Sequence, residues 1–274
     1  MDLKLTGQAV LITGSSRGIG LAIAVGFANE GALVAICGRD QKRLQIAKAE
    51  IEAIGGHCHA MVADLGEADE CARVVDETAR HFGRLDTLVN NASASVDGTP
   101  KSLDDASDDQ LLARVLGKTM VAVRCSRTAL AHMRKVGGGR IVMIGGASSR
   151  TVIRGDEAMS TGSTLPQGLG NASLANFSKF LSEEVAKDNI AVNIVHPYFT
   201  RTDRFPARLA QYAKDRGISE RQAEQLLISH MPIGRLINPS DITPIVLILG
   251  SPLVGAMTGQ SIAVDGGATR GVVY

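Results

Sequence analysis

The sequence predicts a single-domain Rossmann-type α/β fold: a doubly wound, seven-stranded parallel sheet with helices on both faces. Three observations carry this expectation. Short apolar, β-rich runs alternate with stretches of helical period. A glycine-rich turn follows the first run. No linker, repeat or low-complexity tract divides the 274 residues. Alternating strands and helices imply right-handed crossovers between parallel strands. Continuously apolar runs suggest strands covered on both faces.

The expected strands are, in order, Val10-Leu11-Ile12, Leu33 to Ile36, Met61-Val62-Ala63, Leu85 to Val89, Ile141 to Ile144, Ile190 to Val195 and Ile262-Ala263-Val264. Helices with recognisable ends lie between them. Leu44, Ala47, Ile51 and Ile54 form one apolar stripe, stopped by Gly55-Gly56. Cys71, Val74, Thr78 and Phe82 form another, stopped by Gly83. Both spacings follow the helical period, and glycine is the usual residue just past a helix end.

Composition narrows the function classes. Hydrophobic residues make up 45% and charged residues 21%, enough apolar material for a sizeable core. A net charge of +1 gives no basic surface for nucleic acid or an anionic membrane. The opening MDLKLTGQAVLITG runs into a strand without an export signal, and no apolar run reaches the ~20 residues of a membrane helix. Cys37, Cys58, Cys71 and Cys125 form no C-x-x-C pair, so reduced thiols in a cytoplasmic protein are expected. His57-Cys58-His59 sits on alternating faces of a strand, which disfavours a shared metal, and no metal site is expected.

Thr13-Gly14-Ser15-Ser16-Arg17-Gly18-Ile19-Gly20 lies between the first strand and a helix. Glycines at 14, 18 and 20 permit a tight turn and close backbone approach. The helix start behind them offers free N–H groups and a positive dipole end to phosphate. In this strand–turn–helix context the run reads as a dinucleotide-phosphate loop.

This T-G-x-x-x-G-I-G run resembles the N-terminal signature of the short-chain dehydrogenase/reductase family. Other segments resemble that family's motifs in order. Asp64-Leu65 is similar to its adenine-contacting position. Asn90-Asn91-Ala92-Ser93 is similar to its N-N-A-G, with Ser93 in the last glycine's place. Val192-Asn193 and Pro197 to Thr202 are similar to its V-N and P-G-x-x-x-T, with Tyr198 in the glycine slot. Thr258-Gly259 through Asp265-Gly266-Gly267 is similar to its C-terminal T-G-x-x-x-x-V-D-G-G. The resemblance spans essentially the whole chain. It implies one domain over 1–274, with a substrate lid at about 203–236. The lid is locally basic at Arg204, Arg208, Arg216, Arg221 and Arg235, partly offset by Asp215, Glu220 and Glu224.

The resemblance also implies a cofactor site: Gly14, Ser16, Arg17, Gly18, Ile19, Gly20, Arg39, Asp64, Leu65, Asn91, Ala92, Pro197 and Thr202. The cofactor choice rests on the end of the second strand. An acidic residue there would accept from the ribose 2′-hydroxyl of NAD, but Gly38 holds the slot and Arg39 follows. Arg39 and Arg17 together suit the 2′-phosphate of NADP(H) through charge-assisted hydrogen bonds. Solvated surface arginines are the alternative.

The family's catalysis uses Asn, Ser, Tyr and Lys as general acid/base machinery for hydride transfer. Counting back from Val192-Asn193 puts its lysine slot on Asn171 and its tyrosine slot on Gln167. The serine slot at the end of the fifth strand falls on Gly146, with Ser148 and Ser149 beyond. The asparagine slot falls on Lys118. All four positions are thus expected to be substituted. Lys179 lies eight residues past Asn171, ~12 Å along a helix, and reads as a surface lysine. The three tyrosines, Tyr198, Tyr212 and Tyr274, lie elsewhere. Gln, Asn and Gly donate no proton near neutral pH, so Lys118 is the one plausible acid, if burial lowers its pKa. A structural lysine, salt-bridged or reaching solvent, is the other reading. His196 reads as a core residue, and Tyr198 as a ring beside the nicotinamide position.

Three functions stay open on these residues. One is an NADP(H)-dependent oxidoreductase with an atypical site, acting on a small organic substrate. Another is an NADP-binding regulator or partner subunit with little turnover. The third is a cyclase or lyase on the same scaffold. The family resemblance also implies a homotetramer, packed through the helices at Asp109–Val136 and Leu169–Lys187, with the tail Gly266–Tyr274 at a second contact.

Overall fold

The computed structural model describes residues 1–93, 100, 102–153 and 165–271. Seven parallel strands form one sheet: β1 (Ala9–Ile12), β2 (Leu33–Gly38), β3 (His57–Val62), β4 (Thr87–Asn90), β5 (Gly139–Ile144), β6 (Ile190–Pro197) and β7 (Ser261–Val264). Their spatial order is β3-β2-β1-β4-β5-β6-β7. The order reverses between β1 and β4, and a crevice opens at such a reversal, at the carboxyl ends of the strands.

The strand edges differ from the expected ones for a physical reason. β3 begins at His57, four residues before Met61, because it pairs with β2 along its full length, from Leu33↔His57 to Gly38↔Val62. Its outer edge faces solvent, so it lacks the apolar signature of a strand buried on both faces. β4 begins at Thr87, two residues after Leu85, where pairing with β1 begins.

Helices α1 (Gly18–Asn29), α2 (Gln41–Ala53) and α3 (Ala68–Phe82) follow the first three strands. Leu44, Ala47 and Ile51 are buried on α2, but Ile54 is an exposed cap residue. Gly83 ends α3 in the left-handed conformation at φ 74°. The helix expected over Asp109–Val136 is broken into α4 (Asp108–Val115), a π-turn over Leu116–Met120, and α5 (Val121–Lys135). The chain continues through α6 (Leu165–Val185), α7 (Phe205–Arg216), α8 (Glu220–Ser229) and α9 (Pro239–Gly250).

Strand alternation assigns neighbouring side chains to opposite layers. Val10 and Ile12 of β1 pack with Ile23 and Phe27 of α1 and Val246 of α9. Leu11, between them, packs on the other face with Val74 of α3, Cys125 of α5 and Leu174 of α6. Each buried aliphatic side chain contributes ~1.5–3 kcal/mol. These two layers hold the strand ends, and so the site, in place.

Candidate active site

The loop after β1 is closed by side chains from the loop after β4. The Thr13 hydroxyl donates to Val89 O at 3.2 Å and accepts the N–H groups of Asn91 and Ala92, each at 3.0 Å. The Asn91 amide donates to the carbonyls of Thr13 and Gly14 at 2.9 and 3.0 Å. This contact explains Gly20: a Cβ there would lie 2.6 Å from Asn91 Nδ2 and 2.7 Å from Gly14 O. Gly14, at φ +63°, leaves 3.0 Å between an added Cβ and Ala92 Cα. The backbone thus forms a cradle open to a phosphate, with the start of α1 behind it and no acidic residue in its first turn.

A cavity of about 370 Å³ runs from this cradle toward β2 and β3. It is lined by Gly14, Ser16, Arg17, Gly18, Ile19 and Gly20, by Arg39, by Asp64 and Leu65, by Asn91 and Ala92, and by Thr202. These are all the expected cofactor residues except Pro197, which is buried where β6 ends. Ser93 also faces the cavity. Arg39 is not a bare surface arginine: its guanidinium lies 3.9 Å from the Asp64 carboxylate. Arg17 lies 3.4 Å from Asp203.

Three further arginines line the same cavity, Arg43, Arg204 and Arg208. Arg43 lies in the first turn of α2, which follows Arg39 and the cap residue Asp40. The expected offset of the lid charges is distributed differently. Glu224 pairs with Arg201, Asp215 accepts from Gln211 at 2.6 Å, and Arg235 pairs with Asp241 at 2.6 Å. None of these acids reaches Arg204 or Arg208.

The other end of the crevice gathers the four counted slots. Lys118 sits in the π-turn, half-buried, and its ammonium donates to Gly145 O at 3.1 Å. Among the described residues it has no salt bridge, and the π-turn directs it inward to the end of β5. Burial, and then the Arg114 charge, push its pKa down to about 8. Gly146 follows on the chain, and a Cβ there would lie 2.7 Å from Asn171 Nδ2. Asn171 donates instead to Ser148 Oγ at 2.8 Å. Two buried acceptors, Gln167 Oε1 and Asn171 Oδ1, have no hydrogen-bond partner among the described residues. They stand one turn apart on α6.

His196 is fully buried beneath this cluster. Its Nδ1 lies 2.9 Å from Ser149 Oγ and 3.2 Å from Gly146 O, and its Nε2 lies 3.0 Å from Ser261 Oγ. Burial pushes its pKa down to about 4, so the ring is neutral at pH 7. Lys179 is exposed and pairs with Glu183 at 3.1 Å. Tyr198 packs on Phe199 with ring centroids 4.3 Å apart, and Tyr212 is buried in the core. Tyr274 and much of the segment between Ser149 and Gly170 lie outside the described residues.

On β3, His59 Nε2 lies 3.0 Å from Glu77 Oε1, and its ring stacks on His81 at 4.0 Å. Among the described residues no group of three or more His, Cys, Asp or Glu side chains converges to hold a metal. Nor is any described helix long and apolar enough to cross a membrane.

The chain is similar to known proteins over nearly its whole length. The profile of the family described as Enoyl-(Acyl carrier protein) reductase matches residues 14–269. Versicolorin reductase 1 of Aspergillus parasiticus is 30% identical over 97% of this chain and 98% of its own length. The 3-oxoacyl-[acyl-carrier-protein] reductase FabG of Chlamydia pneumoniae is 29% identical over 98% of this chain and 100% of its own. Among solved structures, L-sorbose reductase from Gluconobacter frateurii, complexed with NADPH and L-sorbose, superposes with a TM-score of 0.90. It is 31% identical and covers 99% of this chain and 100% of that one.

Proposed function

Because the chain belongs to the short-chain dehydrogenase/reductase family, we propose that it is an NADP(H)-dependent oxidoreductase whose acid/base site departs from the family's. The observation that carries this reading is the contrast within one crevice. A glycine cradle and arginine-lined cavity fit a phosphorylated dinucleotide, while Lys118, Gly146, Gln167 and Asn171 occupy the slots of the Asn-Ser-Tyr-Lys tetrad.

The fit to the cofactor rests on the cradle itself: an added Cβ at Gly20 would collide with Asn91 Nδ2 and Gly14 O, and one at Gly14 would press on Ala92, so only glycine lets the loop close in this form. When bound, NADPH supplies the hydride. The chain's own residues do the rest. The loop N–H groups and Arg17 would hold the phosphates. Arg39, beside Asp64, would face the adenine ribose. Lys118 is the one ionisable side chain in the four slots, and its lowered pKa suits a proton donor near neutral pH. In a carbonyl reduction its N–H bond would break as the substrate oxygen takes the proton, leaving a neutral amine that solvent reprotonates. An iminium substrate needs no such proton, and an enone activated elsewhere needs less help from a protein acid. Such compounds are therefore the expected substrates, with simple ketones turned over poorly.

NADPH oxidation, followed by absorbance with ketones, aldehydes, enones and cyclic imines, tests the reading. Turnover confined to imines or enones supports it. Brisk reduction of a simple ketone that survives Lys118→Ala refutes the altered site. Cofactor binding with no oxidation in any arm assigns the chain to the regulator, cyclase or lyase class.

We further infer one domain over 1–274 with a lid at 203–236, in a cytoplasmic homotetramer. The four cysteines, all free thiols, fit a reducing compartment. Leu112, Leu116, Leu169 and Phe180 are exposed on and between the helices α4 and α6 that would pack the subunits. Light scattering at micromolar concentration should give a mass near four chains. A monomer would contradict the assembly.

A further inference from the structure

We propose that Arg204 and Arg208 form a phosphate-binding pair that holds the bound cofactor from the α7 side of the cleft. The proposal rests on the NADP(H) reading and adds two residues from the lid to a site otherwise built on β1, β2 and β4.

Their position argues for a ligand. Thr202 and Asp203 pack directly on the glycine loop: a Cβ on Gly18 would lie 3.5 Å from Asp203 Oδ1 and from Thr202 Cγ2. That contact brings the start of α7 over the cradle, and Arg204 and Arg208 line the same cavity as Gly18 and Arg17. Arg204 caps the helix, and the N–H of Arg208 donates to its carbonyl at 3.2 Å, so the two side chains share one face.

Taken alone, this arrangement is unfavourable. A cation at a helix N-terminus opposes the positive end of the macrodipole. Like charges four residues apart repel. The first turn of α7 has no acidic residue to compensate. The carboxylates of the cleft are engaged elsewhere, Asp203 with Arg17, Asp40 with Arg43 and Asp64 with Arg39. Among the described residues no carboxylate lies within 4.0 Å of either guanidinium. Five arginines and three aspartates therefore line the cavity, an excess of two positive charges. Desolvation, and then the Arg17 charge, hold Arg204 below the ordinary arginine value. Desolvation, and then the Arg114 charge, do the same for Arg208. A local arrangement that breaks several rules at once marks a functional site. A phosphate bearing about two negative charges reverses each term, because guanidinium forks donate to its oxygens in charge-assisted pairs.

Two phosphates of the cofactor have this chemistry, the ribose 2′-phosphate and the diphosphate. Calorimetric titration of the whole protein with 2′,5′-ADP and with 5′-ADP separates them. The double variant Arg204→Ala/Arg208→Ala should bind at least one fragment tenfold or more weakly. A loss on 2′,5′-ADP alone places the pair on the 2′-phosphate, and a loss on 5′-ADP assigns it to the diphosphate. The double lysine variant keeps the charge without the fork and should recover part of the loss. Unchanged affinity for both fragments overturns the proposal while NADP(H) binding still stands. If the unmutated protein binds neither fragment nor NADP+, the cofactor reading fails and the proposal with it.

Discussion

The glycine-loop end of the crevice and the Lys118 end are built in different ways. The first is made largely of backbone: turns at positive φ, N–H groups at a helix start, and a side-chain clasp from Asn91 that closes on carbonyls. Its tolerance is low, since even one methyl group at Gly20 would meet three atoms inside 3 Å. The second end is made of side chains delivered by three separate elements, the π-turn, the end of β5 and α6. Gly146 leaves no room for a side chain beside Asn171, and Gln167 and Asn171 offer buried acceptors without partners among the described residues. On the proposed reading, cofactor geometry and proton chemistry are set by different parts of one fold.

Separate removal of each end's charged group tests that independence. The largest effect is expected for Lys118→Ala. Turnover of a carbonyl substrate should fall ~10²–10⁴-fold, while a preformed iminium loses little and NADPH binding is unchanged. In the unmutated protein, carbonyl reduction should decline as pH rises through about 8, where the ammonium gives up its proton. A flat profile, or equal losses on both substrates, would remove Lys118 from the proton path.

His196 comes next and concerns the floor of the same end. Its folded pKa of about 4 lies below the ordinary 6.5. As pH falls from 6.5 to 4, the unfolded chain takes up a proton that the folded chain refuses. Stability should therefore decline across that window by up to about 3 kcal/mol, and the contribution is fully present above it. Urea melts at pH 7.5 and 4.5 should show a shallower decline for His196→Gln than for the unmutated protein. Equal declines would mean that another group dominates acid unfolding.

The smallest effect belongs to the cofactor end. Arg39→Asp should weaken NADPH binding tenfold or more, since a charged hydrogen bond is worth ~1.5–3 kcal/mol, and should leave NADH binding in place. Calorimetry on both cofactors measures the difference. Tighter NADH than NADPH binding in the unmutated protein would reverse the assignment.

The difference between the ends also decides what could be read from the chain. A backbone-built cradle is contiguous, so Thr13 to Gly20 carries its signal in a single run, and the glycines stand where the structure needs them. The sheet was legible for the same reason, except at β3, whose edge position removes the apolar pattern over His57 to Ala60. The proton end depends on register between distant segments. Counting places Gln167 and Asn171 on one face of α6, but nothing local to Lys118 predicts that it turns inward to Gly145. The roles of Arg43, Arg204 and Arg208 were hidden differently. Their charges are visible in sequence, but so are acids that could offset the lid, and only the fold shows that Asp215 and Glu224 take other partners.

The π-turn over Leu116–Met120 has one more consequence. Each residue added to an α-helix rotates everything after it by ~100°, and a π-turn holds such an extra residue without breaking the helix. The segment therefore works as a phase adjuster between α4 and α5. Loss of a single residue from it would restore a regular helix and leave both ends anchored, yet swing Lys118 away from the strand end. At this position the length of the chain, and not only its chemistry, sets which side chain meets the end of β5.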